Sequence, residues 1–281
     1  MGRILWLASY PKSGNTWVRV FLANLIRGNG NAVDINRVGE ATLAEPGTPG
    51  FALLDPRPWQ QWTPAEIAAL RPRVQERIAA TGQGIVPVKT HSAFVRDRGV
   101  PSINMAVSHG AVYVVRNPLD VAVSYAHHLG ESPDAIIALM GTTMFRTPTN
   151  AINVHEVMGS WSQHVASWTT HPSPQLHVMR YEDMLADPLA SFRGLAAFMR
   201  IATDAAAIEW AVMHSAFEKV RAMEDEAGFV ERTPAQDRFF RVGRAGQWHD
   251  MLDAAQVAAI VRDHGEQMAR FGYLGADGKP V

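Results

Sequence analysis

The chain alternates short apolar runs with longer amphipathic segments. "RILWLAS" (3–9) is an unbroken apolar run of strand length. "NTWVRVFLANLIRG" (15–28) then repeats apolar residues at helical spacing and closes on Gly28. Residues 29–62, rich in Gly, Pro and Asn, predict an irregular excursion. "TPAE" (63–66) opens a helix: Thr63 caps, Pro64 takes the first position and Glu66 completes a capping box. Pro72 predicts a kink or split in it. "GIVPVKTH" (84–91), "GAVYVVRN" (110–117) and "QLHVMRYED" (175–183) read as three further strands. Helices are predicted over 118–130, opened by Pro118, over 151–169, after Asp187-Pro188, over 204–224 and over 253–270. Residues 225–250 have little periodicity but many Arg, Gly and Phe.

Strands separated by helices imply βαβ units, so the predicted class is α/β, a central parallel sheet flanked by helices. No linker or repeat breaks the chain, and residues 1–281 read as a single domain. Ligands of such sheets bind beyond the carboxyl ends of the strands. That directs attention to the residues just after 9, 89, 115 and 180.

After the first strand comes "YPKSGNTW" (10–17). Amides at a tight turn and a helix N-terminus make an anion site, which Ser13, Thr16 and Lys12 would strengthen and Gly14 would let a ligand approach. A capped turn with an exposed lysine fits the same residues. After the second strand comes "KTH" (89–91), where His91 suits proton transfer or simple packing. Arg116 leaves the third strand, with Ser124 two helical turns on. Its fork fits a phosphate, or it pairs with Asp120. Tyr181 follows the fourth strand as a base-stacking or a core residue, and Arg241, Gly243 and Arg244 lie in the aperiodic stretch. Together these predict a ligand with two separated anionic groups and a hydroxyl to be deprotonated.

Composition narrows the classes. With 47% hydrophobic and 19% charged residues, the 281-residue chain suits a soluble globular protein. A net charge of −1 argues against a broad nucleic-acid footprint. The absence of cysteine excludes disulfides, thiolate catalysis and cysteine-ligated zinc. The N-terminal apolar run is too short for a secretory signal, Trp6 does not fit the myristoylation pattern, and no run reaches transmembrane length. A cytoplasmic protein without an integral membrane segment is expected.

The segments "YPKSGNTW", "KTH", "RNPLDVAVSY", "GSWSQHVASW", "RYEDM", "HSAF" and "FFRVGRAGQWHD" resemble, in order, those of the cytosolic-type sulfotransferases. The resemblance implies transfer of a sulfuryl group from 3′-phosphoadenosine 5′-phosphosulfate (PAPS) to a hydroxyl or amine, leaving 3′-phosphoadenosine 5′-phosphate (PAP). It implies a P-loop-like phosphosulfate turn of Lys12, Ser13, Gly14, Asn15, Thr16 and Trp17, with Lys12 on the bridging oxygen and Trp17 against adenine. It implies Arg116 and Ser124 as the 3′-phosphate pair, completed by Arg241 and Gly243, and Tyr181, Ser215 and Phe217 near adenine. His91 would be the base and Lys89 a second lysine at the reacting centre, while Ser124 would restrain Lys12 until an acceptor arrives. Two positions and one motif depart from the family pattern. Asn15 replaces a threonine, Val242 stands where a lysine is usual with Arg244 as its stand-in, and the family's C-terminal dimer motif is missing, which leaves a homodimer open.

Sulfuryl transfer, like phosphoryl transfer, passes through a loose in-line transition state, so positioning and charge stabilisation dominate. No metal is expected, because lysines and arginines can neutralise the donor. A P-loop kinase or NTPase is the alternative, but its full pattern places lysine after the second glycine, and here Lys12 precedes Gly14. A non-catalytic nucleotide-binding protein would have no need of His91. The acceptor is read only as a small molecule, aromatic or apolar, with Phe51, Trp59, Trp62, Phe94, His127, Phe145 and Phe229 in segments that either line a pocket or form core.

Overall fold

Six of the seven residues of strand β1 (Arg3–Ser9) are buried, as its apolar run requires. The computed structural model describes residues 2–28, 30–201 and 203–281; Asn29, the first residue of the predicted excursion, lies outside them, as does Met1 at the head of the N-terminal run. Strands β2 (Leu43–Ala44) and β3 (Ile85–Thr90) pair in parallel, Leu43 opposite Val88, and β3 pairs in parallel with β1, Leu7 opposite Lys89. Strands β4 (Arg96–Asp97) and β5 (Val100–Pro101) form a small antiparallel ladder. Strands β6 (Ser108–Val115) and β7 (Leu176–Arg180) complete the main sheet, whose order is β2-β3-β1-β6-β7. Chain order reverses across β1, and open α/β sheets bind ligands at the carboxyl ends beside such a reversal. The class is α/β, a central parallel sheet flanked by helices.

The chain divides into two compact units. The first runs up to Tyr10 and adds Thr42–Tyr113 and Thr142–Val178. Its helix Pro64–Ala80 opens with the predicted capping box. The helix does not split at Pro72 but runs through it. A proline there costs about 3 kcal/mol, offset by burial of Ile67, Ala68, Val74 and Ala79 along one face. Its Ile67 and Val74 cluster with Phe51, Trp62 and Val154. The helix predicted over 151–169 is only Trp161–Thr169, started by Ser160 and Gln163 as a capping box. Residues 151–160 are instead irregular and bridge other segments, Asn153 opposite Gly47 and Val157 opposite Arg146. Their polar side chains and peptides bond to distant residues, which overrides their helical spacing.

The second unit comprises Pro11–Ala41, Val114–Gly141 and Met179–Val281. Helix Asn15–Arg27 lays Val20 and Ala23 against Val33, Ile35, Val38, Val220, Phe229 and Phe240. Phe21 stacks on Phe192 at 4.2 Å. The predicted 204–224 helix is two, Ala205–His214 and Phe217–Ala227, broken at Ser215-Ala216. Ser215 lies outside helical geometry and its hydroxyl bonds Val212 O, one of the last carbonyls of the first helix. Helix Pro133–Gly141, which the hydrophobic pattern did not single out, packs against both Pro118–Leu129 and Ala254–Arg270.

Candidate active site

The second unit gathers most of the predicted donor-binding residues. The chain leaves β1 through a turn in which Lys12 and Gly14 both have positive φ, 65° and 107°. Gly14 is the helix N-cap and offers no side-chain cap, so the first amides of helix Asn15–Arg27 receive no side-chain oxygen from it. A Cβ on Gly14 would lie 2.7 Å from the Tyr181 ring, so the position demands glycine twice over. Ser13 is buried and its hydroxyl has no hydrogen-bond partner in the protein. A buried unpaired hydroxyl is costly, and an anion's oxygen at this helix N-terminus would satisfy it. The Lys12 ammonium lies 3.9 Å from the centre of the Phe239 ring.

Arg116 leaves β6 and is buried. Its Nη1 donates to Lys12 O at 3.1 Å, its Nη2 to Arg244 O at 3.3 Å, and its guanidinium stacks 4.3 Å from the Tyr181 ring. The Nε of Arg116 is buried without a partner. Asp120, the alternative partner of Arg116, is 3.9 Å away at its nearest oxygen. Its oxygens instead accept from Gly246 N at 2.7 Å and Trp248 N at 3.2 Å. Arg241 donates to the amide oxygen of Gln247. Burial, together with Arg116 and Arg244, pushes the Arg241 pKa below its ordinary value. Burial lowers the pKa of His127, and Arg241 and Lys12 add to it. Arg244 is exposed and pairs with Asp250 at 3.0 Å.

The aromatic residues of this unit meet. Trp17 is edge-on to Tyr181 at 6.1 Å and to Phe192 at 5.6 Å. Gly243 has φ 69°, and a Cβ there would lie 2.4 Å from the Phe217 ring. Ser215 is buried with its hydroxyl on Val212 O, and Ser124 is partly buried on helix Pro118–Leu129. The aperiodic stretch is fastened by Glu224, whose two oxygens accept from Phe239 N at 2.7 Å and Phe240 N at 2.8 Å.

The first unit holds Lys89 and His91, both partly buried. His91 Nδ1 is 2.7 Å from Ser9 O. A carbonyl only accepts, so Nδ1 carries the ring proton and the basic lone pair is on Nε2. The His91 N–H donates to Glu156 Oε1 at 2.6 Å, and its carbonyl is 3.0 Å from His164 Nε2. His164 is in turn 2.8 Å from the Tyr113 hydroxyl, and burial pushes its pKa down to about 3. Of the predicted acceptor-side aromatics, Phe51, Trp62 and Phe229 are core, whereas Phe94 is exposed.

Sequence reasoning missed Ser9, Glu156, His164 and Glu224, and read Asp120 only as a partner for Arg116. The two carboxylates that fasten the loop act on main-chain amides, which leaves no spacing to read; only Asp120 carried a sign, as a carboxylate inside the apolar segment PLDVAV. Among the described residues no group of three or more His, Asp or Glu could hold a metal ion.

The family model described as "Sulfotransferase domain" matches residues 3–272. The chain belongs to that family. It is 25% identical to sulfotransferase 1A1 of Canis lupus familiaris over 95% of this chain and 84% of the relative, and 27% identical to sulfotransferase 1A1 of Bos taurus over 94% and 83%. Among solved structures, a mouse sulfotransferase complexed with PAP matches at TM-score 0.60 and 21% identity, covering 98% of this chain and 87% of that one. A retinol dehydratase in complex with androsterone and PAP matches at 0.63 and 20%, covering 94% and 80%. The kinase and non-catalytic alternatives are not favoured.

Proposed function

We propose that the Lys12–Trp17 turn and the arginines hold PAPS and that His91 deprotonates the acceptor of this PAPS-dependent sulfotransferase. One observation carries the donor assignment: Arg116, whose Nη2 reaches Arg244 O, has its Nε buried without a partner, and Arg241 lies near enough that Arg116 and Arg244 add to burial in lowering its pKa. Arg241 faces an amide rather than a carboxylate. Clustered cations of this kind suit a dianionic phosphate, here the 3′-phosphate. The residues fit the donor at its other end too, since the Ser13 hydroxyl is buried without a partner beside the first turn of helix Asn15–Arg27. Trp17, Tyr181 and Phe217 would hold the adenine, Ser215 would contribute only its backbone, and Asn15, Thr16, Ser124 and Gly243 would complete the cradle.

PAPS supplies the sulfuryl group. Lys12 would offset negative charge on the leaving side, and Lys89 would do so at the transferred group. His91 would take the acceptor's proton at Nε2, with Nδ1 held on Ser9 O. The acceptor is a small molecule, proposed to be an aromatic or apolar alcohol or amine. The family match across residues 3–272 supports one sulfotransferase domain over 1–281. No helix among the described residues is long and apolar enough to cross a membrane; we propose a cytoplasmic enzyme that acts without nucleic acid.

Calorimetry with PAP and AMP tests the donor reading. A hydrogen bond to a charged group contributes about 1.5–3 kcal/mol, so losing several should weaken AMP more than tenfold. Equal affinities would remove Arg116 and Arg241 from a 3′-phosphate site.

A further inference from the structure

We infer that Glu156 is a positioning residue that holds His91 in place for proton transfer. The inference rests on His91 being the base. His91 follows β3 in irregular backbone, beyond the ladder that fixes Thr90 opposite Ala8. Hydrogen bonds take over, among them Nδ1 to Ser9 O, the carbonyl from His164 Nε2, and the main-chain N–H to Glu156 Oε1 at 2.6 Å. The last differs in kind, because its acceptor is a buried side-chain carboxyl from a segment 65 positions away.

The carboxylate is itself held. Glu156 is 8% exposed, its N–H donates to Thr147 Oγ1 at 2.8 Å, and its carbonyl accepts from Thr147 N at 3.1 Å. Its Oε1 also lies 3.4 Å from Thr90 Oγ1, so both sides of the Thr90–His91 peptide face one oxygen. The neighbouring buried carboxylate, Glu45, takes 2.8 and 2.6 Å bonds from Arg71 Nη1, which ties that cation to Glu45. Burial works against the charged form of Glu156, and the His91 amide works for it. A buried carboxylate spent on the main chain of a base is costly for stability alone. Its benefit is geometric: fixing the peptide fixes the ring's hinge, and a reacting nitrogen misplaced by an ångström loses much of its rate.

The test is Glu156→Ala against Glu156→Gln. Glutamine keeps an oxygen that accepts from the His91 N–H; alanine removes it. Glu156→Ala should lower kcat tenfold or more while the Michaelis constant for PAPS and the PAP affinity change less than threefold, and Glu156→Gln should restore most of kcat. An unchanged kcat in the alanine variant overturns the inference, as does a loss that glutamine fails to restore. Should the alanine variant fail to fold, the wild-type protein decides: the His91 amide proton should resonate far downfield and exchange slowly, and a fast-exchanging amide overturns the inference. His91→Ala separates the two readings. Normal turnover in that variant removes the base, whereas a dead His91→Ala beside a normal Glu156→Ala removes only the positioning role.

Discussion

At the residue scale, Lys12 and His91 carry different burdens. Lys12 has a left-handed backbone and an ammonium poised over Phe239, a neighbour that holds the charge without neutralising it. Charge on the leaving oxygen grows during transfer, so Lys12 should matter more to the transition state than to binding. Lys12→Met should lower kcat on the order of 10²-fold, with a smaller rise in the Michaelis constant for PAPS. Lys12→Arg should rescue poorly, because a planar guanidinium cannot place one point charge. Steady-state kinetics check this, and a change confined to the Michaelis constant would make Lys12 an ordinary binding residue. For His91, the Nδ1 bond to Ser9 O orients the ring and sets the tautomer. His91→Ala should cost about 10²–10⁴ in rate while PAP affinity and melting temperature stay near wild type. Normal turnover, or an unfolded variant, would take His91 out of the mechanism.

At the element scale, the stretch from Gly228 to Gln247 has no helix or strand, yet two carboxylates pin it. Glu224 takes the amides of Phe239 and Phe240, and Asp120 those of Gly246 and Trp248. Arg241 and Gly243 lie between the pins. Hydrogen exchange should therefore show two classes. The four pinned amides should be protected in the free protein, while those between should slow when PAP is added. Uniform protection without PAP would indicate a preformed loop. Asp120→Ala should cost about 1–3 kcal/mol by leaving two amides unpaired, and should weaken PAP several-fold because the arginine loop loses its anchor. A variant with wild-type melting and PAP affinity would show that Asp120 is not the anchor.

At the scale of the whole molecule, buried histidines set an acid limit. His164 is held neutral, its pKa near 3 because burial disfavours the charged ring, against an ordinary value of 6.5. The unfolded chain takes up this proton below about pH 6.5 and the folded chain does not until far lower. Stability from His164 is thus full above pH 6.5 and is lost as pH falls toward 3. Each pH unit in that window is worth up to about 1.4 kcal/mol. Burial likewise lowers His264, to about 4. Thermal melting should fall between pH 6.5 and 5, and His164→Gln, neutral throughout, should flatten that slope. A variant with the wild-type slope would place the acid sensitivity elsewhere.

The sequence by itself determined the class and singled out most residues of the proposed donor site. Unbroken apolar runs set the main strands and period-3.6 patterns the long helices, since a strand buried on both faces and a helix buried on one leave those patterns in the chain. "YPKSGNTW" was legible because a strand-to-helix turn and its Lys, Ser and Gly are adjacent in sequence, as local backbone geometry demands. Residues 151–160 were not legible. Their spacing is helical, yet His155 and Glu156 are claimed by residues far away in the chain, including Asp97 and His91. Arg116 could have paired with Asp120 on sequence grounds, one helical turn on. Only the tertiary structure gave Asp120 to the amides of Gly246 and Trp248 and drew Arg116 toward Lys12, Arg244 and Tyr181. Likewise nothing in "KTH" announced Ser9, Glu156 or His164. Hydrogen bonds across 65 to 82 positions have no period, so only folding could choose them.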